Sequence, residues 1–505
     1  MNKSIKIKIS LLIYSFFMTY LHSFNSIRFD DSSIYSDNAV FYLMGRGILR
    51  GQVLYKDMYD HKPPYIFLLN AIAAIFEKNH MGLYIITSLI LFISLYYTYK
   101  IIKLFINDDC LSLTGSCFIC LFLNTAELTL GFLRTEGYAV ALLLTSAYLF
   151  LNFFINGNTI FNLKHMFIIG ILAGLTLSIN IKSCILYVPF AISTLVVLLK
   201  NKNIQNAINC FFVGISGVII SIIPNFIYLI INDCFYEGLD AIFRVNGIYA
   251  LPYTNIASDN ETLIQIILKV IKMHPIITII ILLELICIII YKTKTEIKLP
   301  VLFSFILCLI YTILVNRPYT YYYTIFIPYL IPLYLFLINL INFLLIKIKL
   351  STKMVSLIII SLLFLINIPL GFFEVNNRYK TNTLINNSVH ELLNNKIEIT
   401  DDTKILSYGF YPEYYMFLNK NLHFPYFIIP NIRYKYYNTA YRNQVNYIRK
   451  GLPDVLIITF GDYVADLPSN YYNMLREAIA KKYEYVGDIN IFEDKWKNPN
   501  VFIKR

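Results

Sequence analysis

The sequence predicts a polytopic α-helical membrane protein that carries a small α/β domain at its C-terminal end. The 505 residues are 57% hydrophobic and 15% charged, and the mean hydropathy is +0.59, too apolar for a soluble protein. Long apolar blocks recur along the chain, and about 20 apolar residues of helix are needed to cross a bilayer. After residue 373 the apolar runs shorten to the length of β-strands.

Eleven apolar blocks are candidates for transmembrane helices. The first block follows Lys3, Lys6 and Lys8 as a signal peptide would, but no small-x-small cleavage site comes after it. We therefore expect a retained anchor helix. The predicted spans lie near 7–24, 82–99, 110–130, 137–155, 166–181, 184–199, 207–231, 274–291, 299–315, 323–345 and 354–373.

Lysines accumulate at every second joint between these spans, which is the signature of cytoplasmic loops. They account for much of the net charge of +12, so no nucleic-acid partner is expected. We predict a multi-pass protein of the cytoplasmic (inner) membrane, with the other joints and everything after residue 373 facing outward. The outward segments are 25–81, 131–136, the turn at Lys182, 232–273, 316–322 and 374–505.

This orientation requires that the apolar stretch 63–78 does not cross the membrane. The stretch begins with Pro63 and Pro64 and is short for a span, so it predicts a helix lying at the membrane interface. The alternative is a twelve-span protein with an intracellular tail, which would place Lys100 and Lys103 outside, against the charge rule.

Two domains are expected: a membrane module over 1–373, with its first outward loop at 25–81, and a soluble α/β domain over 374–505. Within the second, Lys404–Ser407 and Asp454–Ile458 have the length and composition of strands. Leu384–Leu393 and Tyr471–Lys482 have the pattern of helices.

The first outward loop concentrates charged residues beside the membrane. Val40, Phe41, Met44 and Ile48 predict one apolar face of a short amphipathic helix, with Arg46 and Arg50 on another face. Asp37 lies at the start of this helix, where a helix cap is the alternative role. Asp57, Asp60, His61 and Lys62 follow closely. Carboxylates beside cations at a membrane surface suit a reaction between a hydroxyl and a phosphate-linked group.

The spacing of this loop resembles the GT-C superfamily of membrane glycosyltransferases, in the branch of protein O-mannosyltransferases and the aminoarabinose transferase of lipid A. Many members carry an Asp, an amphipathic helix ending in Gly-x5-Gly, and then Tyr-x-Asp-x-x-Asp-x-Lys-Pro-Pro. The matching residues here are Asp37, Gly45, Gly51, Tyr55, Asp57, Asp60, Lys62, Pro63 and Pro64.

Other family features fall on the outward joints. Arg134-Thr135-Glu136 is similar to the segment that carries the family's second acid, and Lys182 follows a Gly-Leu-rich helix as in many members. Residues 243–250 resemble the third juxtamembrane helix. The segment from Arg317 to Tyr322 resembles Arg-x-x-x-His-Tyr, with Tyr321 where His is frequent. The resemblance covers about residues 10–345 and implies a GT-C fold.

The resemblance implies transfer of a sugar from a polyprenyl-phosphate carrier to a hydroxyl of a glycan, lipid or protein outside the cytoplasm, with inversion in one step. Asp37 is then the general base. Glu136 is the second acid, which orients the acceptor or shares a divalent cation such as Mg²⁺ or Mn²⁺ with Asp37. The alternative for Glu136 is a simple ion pair with Arg134.

The cations of the loops are candidates for contact with the lipid phosphate. Lys62 and Lys182 would act there as point charges, although each side chain could also anchor at the headgroup layer. Arg317 and Tyr321 could add hydrogen-bond donors. Tyr55, Asp57, Asp60, His61 and Arg134 complete the substrate-binding candidates, and Asp57 and Asp60 could instead hold the loop through Arg46 or Arg50.

Three other functions compete with this one. A flippase or transporter of lipid-linked glycans would place ionisable residues inside its spans, where this chain has few besides Glu284 and Glu127. A glycan polymerase of another membrane fold would share large outward loops but not the Asp-helix-Lys-Pro-Pro spacing. A non-catalytic relative acting in assembly would not need both acids.

Overall fold

The structure of the protein is a computed structural model. It describes residues 2–76, 80–123, 134–256, 263–315, 319–346, 351–394, 396–489 and 498–505. Arg317 and Glu127 lie outside the described residues.

Helices dominate the described chain. The first eleven are α1 Lys3–His22, α2 Ser36–Leu49, α3 Pro64–Ala74, α4 Met81–Phe105, α5 Asp109–Leu123, α6 Thr135–Ile155, α7 Leu163–Ile179, α8 Val188–Lys200, α9 Ile204–Ile231, α10 Phe235–Leu239 and α11 Asn246–Ala250. The others are α12 Leu263–Met273, α13 Pro275–Ile290, α14 Thr295–Val315, α15 Leu330–Ile346, α16 Thr352–Asn394, α17 Glu413–Phe417, α18 Thr439–Arg449, α19 Asp462–Ala465 and α20 Ser469–Lys482. Two 3₁₀ segments, Ile181–Tyr187 and Thr320–Tyr329, precede α8 and α15, and a π-helical turn, Asp240–Val245, precedes α11.

Within the described residues, each of the eleven predicted spans overlaps a helix or a 3₁₀ segment continued by a helix. The part of the predicted span 110–130 that follows Leu123 lies outside the described residues. Among the described residues, seven such segments are long and apolar enough to cross a membrane, or eight if the bent pair Ile267–Met273 and Pro275–Ile290 counts as one span. The prediction of a polytopic helical membrane protein is therefore confirmed. Helix α3 has 11 residues, about 16 Å at 1.5 Å per residue, and is too short to span a bilayer of about 30 Å.

By its internal contacts the chain divides into two compact units. Unit 1 comprises 1–23, 84–225 and 262–375. Unit 2 comprises 24–83, 226–261 and 376–505. The first outward loop thus belongs to the same unit as the C-terminal residues.

In unit 1, small residues let α7 and α9 approach closely. A Cβ atom added at Gly170 would lie 3.1 Å from the Cα of Gly217, and one at Gly174 would lie 2.7 Å from the carbonyl oxygen of Val218. Close contact of this kind stabilises helix pairs within lipid, where the hydrophobic effect does not drive association. The packing fixes the end of α7 and so the position of the polar residues that follow it.

In unit 2, α2 packs directly on α3. A Cβ atom at Gly45 would lie 2.6 Å from the backbone nitrogen of Ala71, so only glycine fits this crossing. Helix α2 is buried on all faces from Asn38 to Gly47, and Arg46 is only 5% exposed. The expectation of a polar face carrying Arg46 was wrong, because the C-terminal part of the chain covers that face.

The C-terminal residues form a four-stranded sheet in the described chain, with the order β1-β2-β4-β3. The strands are β1 Ile405–Tyr408, β2 Val455–Ile458, β3 Tyr483–Asp488 and β4 Asn500–Lys504. Strands β1 and β2 are parallel, and the connection between them contains α18. The predicted α/β character is confirmed.

Candidate active site

The second predicted acid, Glu136, lies in the first turn of α6 in unit 1, where a carboxylate is favoured by the helix dipole. It is 5% exposed. Its Oε2 accepts a hydrogen bond of 3.0 Å from the Thr135 hydroxyl, and its Oε1 accepts one of 3.1 Å from the Asn180 amide. The hydrogen-bonding partners of Glu136 are therefore polar neutral groups, and Arg134 is directed to a different group.

Two predicted cations of unit 1 lie over tyrosine rings. The guanidinium of Arg134 is 4.1 Å from the centre of the Tyr321 ring. The ammonium of Lys182 is 5.3 Å from the centre of the Tyr322 ring. The Tyr321 and Tyr322 rings are themselves 4.8 Å apart. Cation–π contact holds each positive charge against an aromatic face without neutralising it.

Asn180 is a site residue that the sequence did not reveal. It follows the last residue of α7, donates to Glu136, and accepts a hydrogen bond of 3.2 Å from the backbone N–H of Ser183. It thereby links the acid to the 3₁₀ segment that carries Lys182. The one signal in the sequence is a polar residue directly after an apolar span, two residues before a lysine.

The first predicted acid, Asp37, belongs to unit 2 and is the second residue of α2. The N-cap position is occupied by Tyr35, whose side chain makes no capping hydrogen bond. Asp37 is therefore not the N-cap that the alternative assigned to it. Its side chain is half-buried.

Asp60, His61 and Lys62 form a buried charge cluster in unit 2. One Asp60 carboxylate oxygen is 3.0 Å from Nδ1 of His61 and the other is 3.5 Å from Nζ of Lys62. Burial raises the pKa of Asp60, but the charges of Lys62 and His61 and the hydrogen bonds from His61 outweigh this, so the pKa lies well below its ordinary value. Asp60 is an anion that holds its two neighbours. The His61 ring also lies 4.5 Å from that of Tyr249.

Lys62 remains accessible within this cluster. Its side chain is 22% exposed, and its ammonium lies 5.0 Å from the centre of the Phe41 ring on α2. Tyr55 is buried and donates a hydrogen bond of 2.7 Å to the backbone carbonyl of Lys62. This bond fixes the backbone of the loop at Lys62. The cluster therefore orients one partly exposed ammonium with a buried acid and a buried phenol.

Asp57 has a different environment from Asp60. It is exposed, and its carboxylate accepts a hydrogen bond of 2.8 Å from the backbone N–H of Val53, which closes a turn. Arg46 donates to the Asn419 side chain at 2.9 Å and to the Lys420 carbonyl at 2.8 Å. The suggestion that Arg46 holds the acids of the loop was therefore wrong.

Glu413, in the first turn of α17, is a second residue that the sequence did not reveal. Burial raises the pKa of its carboxyl to about 7, against hydrogen bonds from its own backbone N–H and from that of Ser36. Ser36 is the first residue of α2 and precedes Asp37. An acidic group from the C-terminal residues thus meets the start of α2.

The chain is similar to a solved structure over almost its whole length. A crystal structure of ArnT from Cupriavidus metallidurans bound to undecaprenyl phosphate matches 99% of this chain and 97% of that chain, with a TM-score of 0.58 and 10% identity. The chain has the GT-C fold. The oligosaccharyltransferase of Archaeoglobus fulgidus, crystallised with Zn and sulfate, matches 94% of this chain and 71% of that chain at a TM-score of 0.47 and 11% identity. No protein-family model and no curated protein matches the chain.

The GT-C fold agrees with the prediction made from the loop spacing, and at 10% identity it establishes the architecture only. Among the described residues no group of three His, Cys, Asp or Glu side chains is placed to hold a metal ion. Asp37 and Glu136 belong to different units, and Asp60 is already engaged by His61 and Lys62. The divalent cation therefore stays a prediction, and no chemical step below is assigned to it.

Proposed function

We propose that this protein is an inverting glycosyltransferase that moves a sugar from a polyprenyl-phosphate carrier to a hydroxyl of an envelope glycan, lipid or protein. We place the reaction on the outer face of the cytoplasmic membrane, with the C-terminal domain on the same side. The GT-C fold supports the class of reaction. The orientation follows from the lysine-rich joints between the spans.

The observation that carries this proposal is the burial of Glu136 at the end of a span, in one cluster with Arg134, Lys182 and Asn180. Charged groups at this depth are costly unless they serve a substrate. Two cations over tyrosine faces attract a phosphate, and an acid fixed by two neutral donors can accept a hydrogen bond from a hydroxyl. The cluster therefore suits a phosphate-linked sugar and an alcohol.

The proposed reaction is a single displacement. The acceptor oxygen attacks the anomeric carbon, the bond from that carbon to the phosphate oxygen breaks, and the polyprenyl phosphate leaves with an added negative charge. Asp37 takes the proton of the acceptor hydroxyl. Glu136, held by Asn180, orients the acceptor.

Cations stabilise the phosphate as it leaves. Lys62 and Lys182 are the proposed contacts, with Arg134, Tyr321 and Arg317 as further donors. Asp60 keeps Lys62 charged and oriented, while His61 and Tyr55 hold Asp60 and the loop. Asp57 closes the preceding turn and has no proposed part in the chemistry.

The test is sugar transfer in membranes by the intact protein and the Asp37→Asn variant. Loss of the base is expected to lower the rate about 10²- to 10⁴-fold while donor binding is kept. Asp57→Asn is the matched control, because it removes a carboxylate of the same loop that lies in an exposed turn. It is expected to retain most of the activity.

Unchanged transfer by the Asp37→Asn protein would overturn the assignment of the base.

One observation favours the transporter alternative: Glu284 lies inside a span, is 1% exposed, and its Oε2 has no hydrogen-bond partner. Flipping of a lipid-linked glycan that survives Asp37→Asn but is lost in Glu284→Gln would support that alternative instead.

A further inference from the structure

Unit 1 contains a partly open apolar cavity between its helices. Its walls come from the second halves of α4 and α6, the end of α13, the start of α14, and both 3₁₀ segments with the helices that continue them. Ligand sites of helix bundles also lie between the helices. None of the residues assigned to sugar transfer lines it.

The polar atoms deep in this cavity are already engaged with protein. The hydroxyls of Ser304 and Tyr329 are hydrogen-bonded to each other. The Tyr187 hydroxyl pairs with that of Thr176 at 3.0 Å, and the Ser146 hydroxyl donates to the Leu142 carbonyl at 3.1 Å. The hydroxyl groups of the interior are therefore paired with protein groups rather than with water, and apolar cavities of proteins stay dry.

Hydrocarbon is the natural occupant of such a space in a membrane. An unfilled cavity loses the dispersion contacts of its walls, while lipid chains surround the protein on all sides. Leu143, Phe190 and Leu335 are among the side chains that would contact the chain. We expect a methylene chain rather than a polar solute.

One end of the cavity is polar and basic. Tyr291 and Thr293, on the joint between α13 and α14, and Lys298, in the first turn of α14, line it there. Lys298 donates one of its three N–H groups to the Ile289 carbonyl. The joint also carries Lys292 and Lys294, and the single acid nearby in sequence is Glu296. The excess positive charge favours an anionic headgroup at this end.

We propose that this cavity binds one chain of an anionic phospholipid, taken from the lysine-rich side of the membrane, with its phosphate beside Lys298. The site is independent of the sugar-transfer residues. It would hold a lipid that stabilises the packing of α13, α14 and the 3₁₀ segment Thr320–Tyr329.

The experiment uses the full chain reconstituted into vesicles of equal phosphatidylglycerol and phosphatidylethanolamine, extracted gently, with retained lipids counted by native mass spectrometry. Ala147→Phe fills the cavity, and Lys298→Gln removes the charge at its mouth. The matched controls are Val196→Phe, which places the same side chain at an exposed apolar position of α8, and Lys292→Gln, on the joint that precedes α14.

The intact protein and both controls are expected to retain one phosphatidylglycerol. Ala147→Phe should lose it, and Lys298→Gln should weaken it about fivefold, the effect of about one lysine at an anionic membrane. Retention unchanged in Lys298→Gln would overturn the proposal even if Ala147→Phe failed to fold. Displacement of the lipid by added undecaprenyl phosphate at low molar ratio would also overturn it, because the cavity would then belong to a polyprenyl phosphate.

Discussion

At the scale of single residues, the titration of Glu413 can be followed through the dependence of protein stability on pH. Its pKa is raised from 4.5 to about 7 because burial disfavours the charged form more than the N–H groups of Glu413 and Ser36 favour it. Between these two values the folded chain binds more protons than the unfolded chain. The stability that Glu413 contributes is therefore complete below its unfolded pKa and is lost as the pH rises through about 7.

Glu413→Gln is expected to flatten this dependence. The shift corresponds to on the order of 2–3 kcal/mol, and each kcal/mol moves the melting temperature by about 2–4 °C in a domain of this size. The melting temperature of the intact protein in detergent should fall more steeply between pH 5 and pH 8 than that of the variant. Glu477→Gln, whose side chain is 70% exposed, is the control and should follow the intact protein.

At the scale of elements, α2 and the loop after it are hydrogen-bonded to the C-terminal residues at several points. Arg46 donates to Asn419 and to the Lys420 carbonyl, and Gln52 donates to the Leu422 carbonyl at 2.6 Å. Further on, the backbone N–H of Tyr59 donates to the Pro425 carbonyl at 2.9 Å. The segment from Asn419 to Pro425 therefore works as a support for the helix that carries Asp37.

Arg46→Ala is expected to destabilise the protein by about 1–3 kcal/mol, because it leaves the buried Lys420 carbonyl without its donor and removes the hydrogen bond to the exposed Asn419 side chain. Arg46→Lys should recover only part of the loss, since one ammonium cannot reproduce the two-pronged geometry of the guanidinium. Thermal unfolding in detergent measures both variants.

Arg50→Ala tests whether the destabilisation expected for Arg46→Ala comes from the contacts of Arg46 with Asn419 and Lys420. Arg50 is exposed directly after α2, and its loss should change the stability by less than about 0.5 kcal/mol. Equal destabilisation by Arg46→Ala and Arg50→Ala would contradict the role given to the Asn419–Pro425 segment.

At the scale of the whole molecule, the orientation of the chain in the membrane depends on α3. Helix α3 begins after Pro63 and ends at Ala74, which is short for a span and favours the eleven-span prediction. The side of the membrane on which each later joint lies stays a prediction. The twelve-span alternative reverses the side of every joint after residue 80.

Reporter fusions distinguish the two arrangements. An alkaline phosphatase fused after Ile106 is expected to be inactive, because the lysine-rich joint there is cytoplasmic, and a fusion after Asn376 is expected to be active. Activity at Ile106 together with inactivity at Asn376 would establish the twelve-span arrangement. Fusion after Lys202 is a second inactive position in the eleven-span arrangement.

Local sequence was sufficient for most of the spans and for two strands of the sheet, but it did not predict β3 and β4. Runs of apolar residues of bilayer length predicted the spans, and short β-branched runs predicted the strands near Ile405 and Val455, because the length and period of a pattern reflect burial along a single element. The GT-C fold was predicted differently, from the resemblance of the loop carrying Asp37, Lys62 and the two prolines to a known family.

The partners of the site residues were decided by the tertiary structure. Glu136 is bound by Asn180, 44 residues later, and Arg46 by Asn419, 373 residues later, although the sequence suggested Arg134 for the first and a nearby acid for the second. Burial of one helix face by a distant segment changes which polar groups can meet. A local pattern encodes that a residue is buried, but the chain path determines what it contacts, since every buried polar group must find a partner among the residues brought to it.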